Sequence, residues 1–236
     1  MKADRTPKFY FSLRSPYSWL AHRELTRDHP DIADAVEWRP FFEPDEVSTR
    51  MLTEAGGSFP YTAMSRAKHL YVLQDVGRIA KSLDIKFSWP VDRDPVWEVP
   101  HLAYLVAERE GLGRQYVAAA HRARWEEGRN ICDRAVIGDI GAELGLDPDE
   151  LAYASDDPAL RAQGVRLLLD VDTDGVFGVP FFVHGFNRYW GLDRLPAFVA
   201  HLRDRGLPAP ALPQPVGAAV GLGSRSVDDG HAGGCG

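Results

Sequence analysis

The chain has 236 residues, of which 44% are hydrophobic and 26% charged, with a formal net charge of -7. That suits a soluble globular enzyme, long enough for one large domain or a domain with an insertion. The acidic balance argues against a nucleic-acid binder, whose footprint is a basic patch, and the scattered Lys and Arg form no membrane-surface stripe. The cysteines, Cys132 and Cys235, stand far apart, so neither a disulfide framework nor a Cys-x-x-Cys motif exists. No apolar signal core opens the chain and no stretch reaches transmembrane length, so a cytoplasmic location is expected.

Lys8–Leu13, KFYFSL, reads as a short buried strand. Arg14–Ser15–Pro16 then turns the chain. Ser15 is a good N-cap, and Pro16 fits the first helical position, where its missing N–H costs nothing. Helical spacing of Tyr17, Trp19, Leu20 and Leu25 carries a helix from Pro16 to about Asp28. A strand thus delivers Ser15 to a helix N-terminus, where free N–H groups and the positive dipole end favour a bound anion. Val36–Phe42 reads as a second strand, demoted by Pro40 to an edge or strand end. The stretch from Pro44 to Phe59 is irregular, with one helical turn around Val47–Leu52.

From Thr62 to about Leu83 the pattern is helical. Val96–Glu110, Arg114–Trp125, Arg134–Leu144, Pro148–Tyr153 and Pro158–Leu169 are further helices. Asp147–Pro148 and Asp157–Pro158 each place an acceptor before a proline at the first helical position. Strand character returns at Pro180–Val183 and Arg188–Trp190, followed by a helix from about Arg194 to Arg203. From Gly206 the chain is rich in Pro, Gly and Ala without periodicity, and reads as a flexible tail.

The order β-α-β, then helices, then β-β-α is that of a thioredoxin-like fold carrying a helical insertion. The strand followed by Ser15–Pro16–Tyr17–Ser18 at a helix start resembles the thioredoxin superfamily with Cys-x-x-Cys replaced. The form FYFSLRSPYSWLA is similar to the kappa-class glutathione transferases and the 2-hydroxychromene-2-carboxylate isomerases, a DsbA-related branch. The resemblance covers about Lys8 to Leu202. It implies an α/β thioredoxin-like fold with a large all-helical insertion: residues 7–45 and 175–205 as the thioredoxin-like part, 46–174 as the insertion, and 206–236 as the tail.

Four pieces carry the chemistry. Ser15 is a simple N-cap on local grounds, whereas the resemblance implies that its hydroxyl holds the sulfur of bound glutathione. His22 near Ser18 does not make a catalytic pair, because a base one helical turn on is not aimed at a cap. Val179–Pro180 is on local grounds a proline at a strand start. The resemblance makes Pro180 cis and Val179 a main-chain partner of the cysteinyl part of the tripeptide. Gly191–Leu192–Asp193–Arg194 resembles the family's pattern for the γ-glutamyl end, and Asp193 is also a plain N-cap candidate. Leu192 stands where the family has a polar side chain, which leaves room for another low-molecular-weight thiol. Lys68, with Tyr71 and Asp75 in KHLYVLQD, aligns with a family lysine that approaches the tripeptide; a helix lysine is otherwise a solvated charge. Tyr17, Trp19, Trp89 and Trp97 are either walls for a flat substrate or core.

Two metal-like patterns are set aside. Asp170–Gly175 imitates a calcium loop but has Phe181 where a bidentate Glu is needed, and His231 with Cys235 supplies too few ligands. No metal is expected. The resemblance implies a glutathione-dependent isomerase that acts on a small unsaturated aromatic substrate by reversible thiol addition, with no nucleic-acid or membrane partner and with room for a homodimer. The alternatives are a kappa-like transferase or peroxidase, which consumes the thiol, and a non-catalytic thioredoxin-fold binding protein. A dithiol oxidoreductase is excluded, since Ser15 and Ser18 form no disulfide.

Overall fold

The computed structural model describes residues 6–60 and 64–207. The expected helix start at Thr62 and the tail beyond Leu207, with His231 and Cys235, lie outside the described residues. Strand β1 (Lys8–Phe11) leads into α1 (Pro16–Asp28) and α2 (Pro30–Ala35), and the chain returns in β2 (Glu37–Pro40). Helices α3 (Glu46–Glu54), α4 (Arg66–Ser82), α5 (Glu98–Arg109), α6 (Gly113–Trp125), α7 (Arg134–Leu144), α8 (Pro148–Ala152) and α9 (Pro158–Thr173) follow. The hairpin β3 (Phe181–His184) and β4 (Asn187–Trp190) and then α10 (Leu195–Asp204) close the fold. The sheet order is β2-β1-β3-β4, with β1 parallel to β2 and antiparallel to β3. This is the expected thioredoxin-like arrangement, with α3–α9 interposed between β2 and β3.

The strand sequences explain their places. The runs Phe9–Phe11 and Phe181–Val183 are buried on both faces, as central strands must be. β2, whose Pro40 lacks a ladder donor, sits at the sheet edge. In register, Phe9 lies opposite both Trp38 and Phe182. Phe9 stacks on Phe182 with centroids 4.9 Å apart, and Phe11 meets Tyr104 of α5 edge-on at 5.2 Å. Tyr104 also donates from Oη to the Trp38 carbonyl at 3.1 Å, which ties α5 to the sheet. On the opposite face, Asp174 accepts from Tyr10 Oη at 2.5 Å and from Lys8 at 3.0 Å.

Three boundaries differ from the sequence reading. Helix α2 escaped it because six residues are too short to show a period. Helix α4 begins at Arg66, where the Ser65 hydroxyl accepts from the Lys68 N–H at 3.2 Å. Helix α9 runs on to Thr173 through the calcium-like stretch, whose Asp170 and Asp174 instead face Arg39 and Lys8.

Packing of α9 on α5 depends on Gly164. A Cβ there would lie 2.6 Å from Leu102 Cδ2 and 3.3 Å from Phe42 Cζ. Gly164→Val is expected to lower stability by about 2 kcal/mol through overpacking. Equal urea midpoints for the two proteins would contradict this close approach.

Candidate functional site

Residues 12–18 form a closed serine network at the end of β1. The Ser15 N–H donates to the Ser12 carbonyl at 3.1 Å, and the Ser12 N–H donates to Ser18 Oγ at 3.2 Å. The Ser18 N–H in turn donates to Ser15 Oγ at 3.2 Å, capping α1. Ser18 is fully buried, so its hydroxyl is structural. Ser15 is half-buried. Its oxygen accepts one bond and keeps its own proton for an outside partner. In the first turn of α1, Pro16 has no N–H and that of Ser18 is used. Among the described residues the N–H of Tyr17 has no acceptor, so the helix start offers one hydroxyl and one amide donor.

The turn is braced from behind by His101, which is fully buried on α5. Its Nδ1–H donates to the Trp97 carbonyl at 2.7 Å, which leaves Nε2 to accept from the Leu13 N–H at 3.0 Å. Burial lowers its pKa to about 3, so the ring stays neutral in this tautomer. Sequence reading missed His101 because the contact joins residues 88 positions apart.

Beside the turn lies a cleft of about 590 Å³ lined by Tyr17, Tyr71, Asp75, Val179, Pro180 and Leu192, with Glu24, Ile79, Trp190, Gly191, Asp193 and Pro196 completing it. The Val179–Pro180 peptide is cis. Neither the N–H nor the C=O of Val179 has a backbone partner among the described residues. The Gly191 N–H donates to the Pro180 carbonyl at 2.9 Å, which joins the Gly191–Asp193 turn to the proline. Gly191 has φ +105°, and a Cβ there would meet Asp193 Oδ1 at 2.7 Å, so the turn requires glycine.

On the facing wall, Asp75 accepts from Tyr17 Oη at 2.8 Å and pairs with Arg78 at 3.2 Å. Burial first, and the bond to Asp75 second, push the Tyr17 phenol well above its ordinary pKa. It is a neutral donor at physiological pH. The only lining groups with formal charge are Glu24, Asp75 and Asp193, and burial raises the Glu24 carboxyl as well. The cleft is therefore an apolar slot carrying carboxylates.

Tyr17, Val179, Pro180, Leu192 and Asp193 come together in this cleft; Ser15, at the helix start two residues before Tyr17, is not itself among the lining residues. Lys68 is exposed on α4 and does not line it. The tryptophans divide differently from the sequence expectation. Trp19 and Trp97 are 1% and 3% exposed. Trp19 stacks on Trp125 at 5.8 Å, while Trp97 carries the guanidinium groups of Arg14 and Arg124 over its ring at 5.4 and 5.0 Å. Trp89 packs edge-on against Phe87 and Trp125, outside the lining. None of the three lines the cleft: Trp19 and Trp89 seal the loop after α4 against α1 and α6, and Trp97 packs in the main core against His101. Trp190 and Tyr71 supply the aromatic walls beside Tyr17. Trp190 read only as a strand residue, yet its place directly before the Gly191–Asp193 turn was the available signal.

Among the described residues, no helix is long and apolar enough to cross a membrane. The sequence profile of the DSBA-like thioredoxin domain matches residues 7–203. A curated protein of Sphingobium xenophagum named 2-hydroxychromene-2-carboxylate isomerase is 26% identical over 205 residues, 85% of this chain and 99% of that one. The solved structure of a selenomethionine 2-hydroxychromene-2-carboxylate isomerase superposes with a TM-score of 0.65 at 21% identity, covering 86% of this chain and 99% of the other. The cytosolic disulfide reductase DsbM from Pseudomonas aeruginosa, solved with GSH, gives a TM-score of 0.56 at 20% identity over 84% of this chain and 98% of that one.

Proposed function

The chain belongs to the DSBA-like thioredoxin domain family, and from that membership we propose that it is a glutathione-dependent isomerase of the 2-hydroxychromene-2-carboxylate isomerase type, acting on an unsaturated aromatic substrate. The observation that carries the reading is the pairing of a half-buried Ser15, whose hydroxyl proton is uncommitted, with a buried, structural Ser18 at the start of the helix whose Tyr17 lines the Val179–Asp193 cleft. A chain with serines at both positions has no dithiol of its own to exchange. It can still stabilise a sulfur anion brought from outside. The curated relative's name supports the isomerase assignment over a disulfide reductase.

The residues present fit glutathione at three points. Val179 offers an unpaired main-chain N–H and C=O to a cysteinyl unit. Asp193 offers a carboxylate to an ammonium group, in a cleft whose charged lining is acidic throughout. Leu192 contributes through its main chain alone. When bound, the tripeptide supplies a nucleophilic sulfur. Ser15 donates its hydroxyl proton toward that sulfur, and the Tyr17 N–H and the dipole of α1 favour its anion. Tyr17 keeps its proton and holds Asp75 in place. Trp190, Ile79, Leu192 and Pro196 present apolar faces to a flat conjugated substrate and exclude water from it.

The test is conversion of 2-hydroxychromene-2-carboxylate, followed by absorbance with and without reduced glutathione, alongside calorimetric titration of the thiol. Conversion that requires the thiol and leaves it unconsumed is the expected result. A conjugate in place of an isomer would identify a transferase, and the absence of both heat and turnover would overturn the thiol reading. Asp193→Asn is expected to weaken glutathione binding about tenfold, the worth of one charge-assisted hydrogen bond. An unchanged dissociation constant would remove Asp193 from the site.

A further inference from the structure

One carboxylate in the cleft at Pro180 is left without a partner. Glu24 lies on α1 about two helical turns beyond Tyr17, and both side chains line the cleft. Among the described residues the Glu24 carboxylate makes no hydrogen bond and no ion pair. Arg27 and His29 act on it only through space, and Arg27 is closed on Asp28 at 2.7 Å. The other two lining carboxylates are engaged. Asp75 accepts from Tyr17 Oη at 2.8 Å and pairs with Arg78 at 3.2 Å, and Asp193 faces Arg194 at 3.3 Å. Glu24 is partly exposed, so a ligand in the cleft can reach it, and burial raises its carboxyl above the ordinary range. A partly desolvated carboxylate with nothing to meet it is unfavourable, and a cation brought by a ligand offsets that cost.

The surroundings set the charge and the length of that ligand. No Lys or Arg side chain lines the cleft among the described residues. Trp190 and Tyr71, which wall it, are 51% and 57% exposed, and aromatic faces attract cations. Glu24 stands nine residues beyond Ser15, about 13.5 Å of helix rise. An extended γ-glutamyl-cysteinyl unit spans about 10 Å from sulfur to ammonium, and a charge-assisted hydrogen bond adds about 2.8 Å. A sulfur held at the start of α1 therefore brings its ammonium to Glu24. The Leu192–Arg194 turn packs on α1, and an ammonium has three N–H donors, enough for Asp193 and Glu24 together.

We infer that Glu24 is a further binding residue of this cleft, which receives the ammonium group of the bound thiol beside Asp193 and so selects thiols that carry a γ-glutamyl amine. The inference rests on the thiol reading proposed above and adds the residue that specifies this end of the ligand. Glu24 meets the ligand far from its sulfur, so its effect falls on affinity for the thiol and not on the chemical step.

The test is calorimetric titration of the full chain and of Glu24→Gln with reduced glutathione and with N-acetylglutathione, whose amine carries no charge. Glu24→Gln is expected to weaken glutathione about tenfold, the worth of one charge-assisted hydrogen bond. The acetylated thiol is expected to bind both proteins equally weakly, since it brings no charge for Glu24 to meet. In turnover, the variant should raise KM for glutathione by the same factor and keep kcat at saturating thiol. The substitution breaks no contact within the fold, so its circular dichroism should match that of the parent chain. An unchanged dissociation constant for glutathione, or an equal loss for both thiols, would overturn this inference and leave the thiol reading standing. Failure of glutathione to bind the parent chain would overturn both.

Discussion

Ser15→Ala is expected to lower kcat/KM for thiol-dependent turnover about 100-fold, the lower range for loss of one preorganised donor to a developing anion. The folded protein should lose only about 1 kcal/mol, the ordinary cost of an N-cap. The two effects separate because the Ser15 oxygen has two jobs. As acceptor it caps the Ser18 N–H at 3.2 Å; as donor it is uncommitted, and alanine removes both. The Ser12–Ser18 bond and the His101–Leu13 bond continue to hold the turn, so the backbone keeps its place. A drop in activity matched by loss of folded protein would reduce Ser15 to a cap.

Ser15→Cys separates the roles further. A thiol at that helix start is expected to have a depressed pKa and to attack oxidised glutathione, forming a mixed disulfide and releasing one reduced glutathione. With a serine at 18 no neighbouring thiol resolves it, so the mixed disulfide should accumulate and be found by peptide mass mapping at position 15 itself, apart from any adduct on Cys132 or Cys235. Its absence would mean that the helix start does not accept the tripeptide.

Much of this site is legible in the linear chain, for local reasons. Ser15 and Pro16 define the start of α1 by cap chemistry alone, and the observed helix runs Pro16–Asp28 as read. Pro40 foretells an edge strand. The Gly191–Asp193 turn and Pro180 were traceable only by resemblance, since locally each reads as routine. What could not be read was which aromatic rings face inward. A tryptophan that seals a loop or packs in the core and one that walls a cleft have the same apolar signature. Trp19, Trp89 and Trp97 were therefore indistinguishable from Trp190 until the loop after α4 was placed. The His101–Leu13 contact and the pairing of His22 with His121, whose rings lie 5.1 Å apart, are equally invisible, because they depend on how α5 and α6 are laid against the N-terminal turn. A lone histidine in a helix carries no periodic signal for its partner.

Those same histidines should make the fold acid-labile to an unusual degree. His22, His101 and His121 are all buried. Burial lowers His22 to about 4 and His101 to about 3, and depresses His121 strongly. In the unfolded chain each takes up a proton near pH 6.5. The unfolded state therefore binds more protons throughout the interval from about 6.5 down to about 4, and stability falls as pH falls. Three such groups set a limit of about 4 kcal/mol per pH unit in that window. Glu98 and Glu24 act in the opposite sense, since burial raises their carboxyl groups and the folded state then protonates first. Asp45, held below its ordinary value, has its effect only below the window. The net expectation is a loss of about 2–3 kcal/mol per pH unit between pH 6 and 4.5.

Against a typical total of about 5–15 kcal/mol, that slope removes about 3–4.5 kcal/mol between pH 6 and 4.5, a large fraction of it. Urea midpoints at pH 7.5, 6.0 and 5.0 should fall steadily, and midpoints that stay level would refute the buried neutral state of these rings. The candidate site should hold for as long as the fold does. His101 takes up a proton only near pH 3, below the interval in which the fold loses its stability, so its Nε2 still accepts from the Leu13 N–H and keeps the turn that presents Ser15. Beyond the loss of about tenfold as Glu24 takes up its proton, glutathione binding and the far-ultraviolet circular dichroism should therefore decline together, and binding abolished at a pH where the dichroism is still native would show that the His101 ring is protonated well above its buried value.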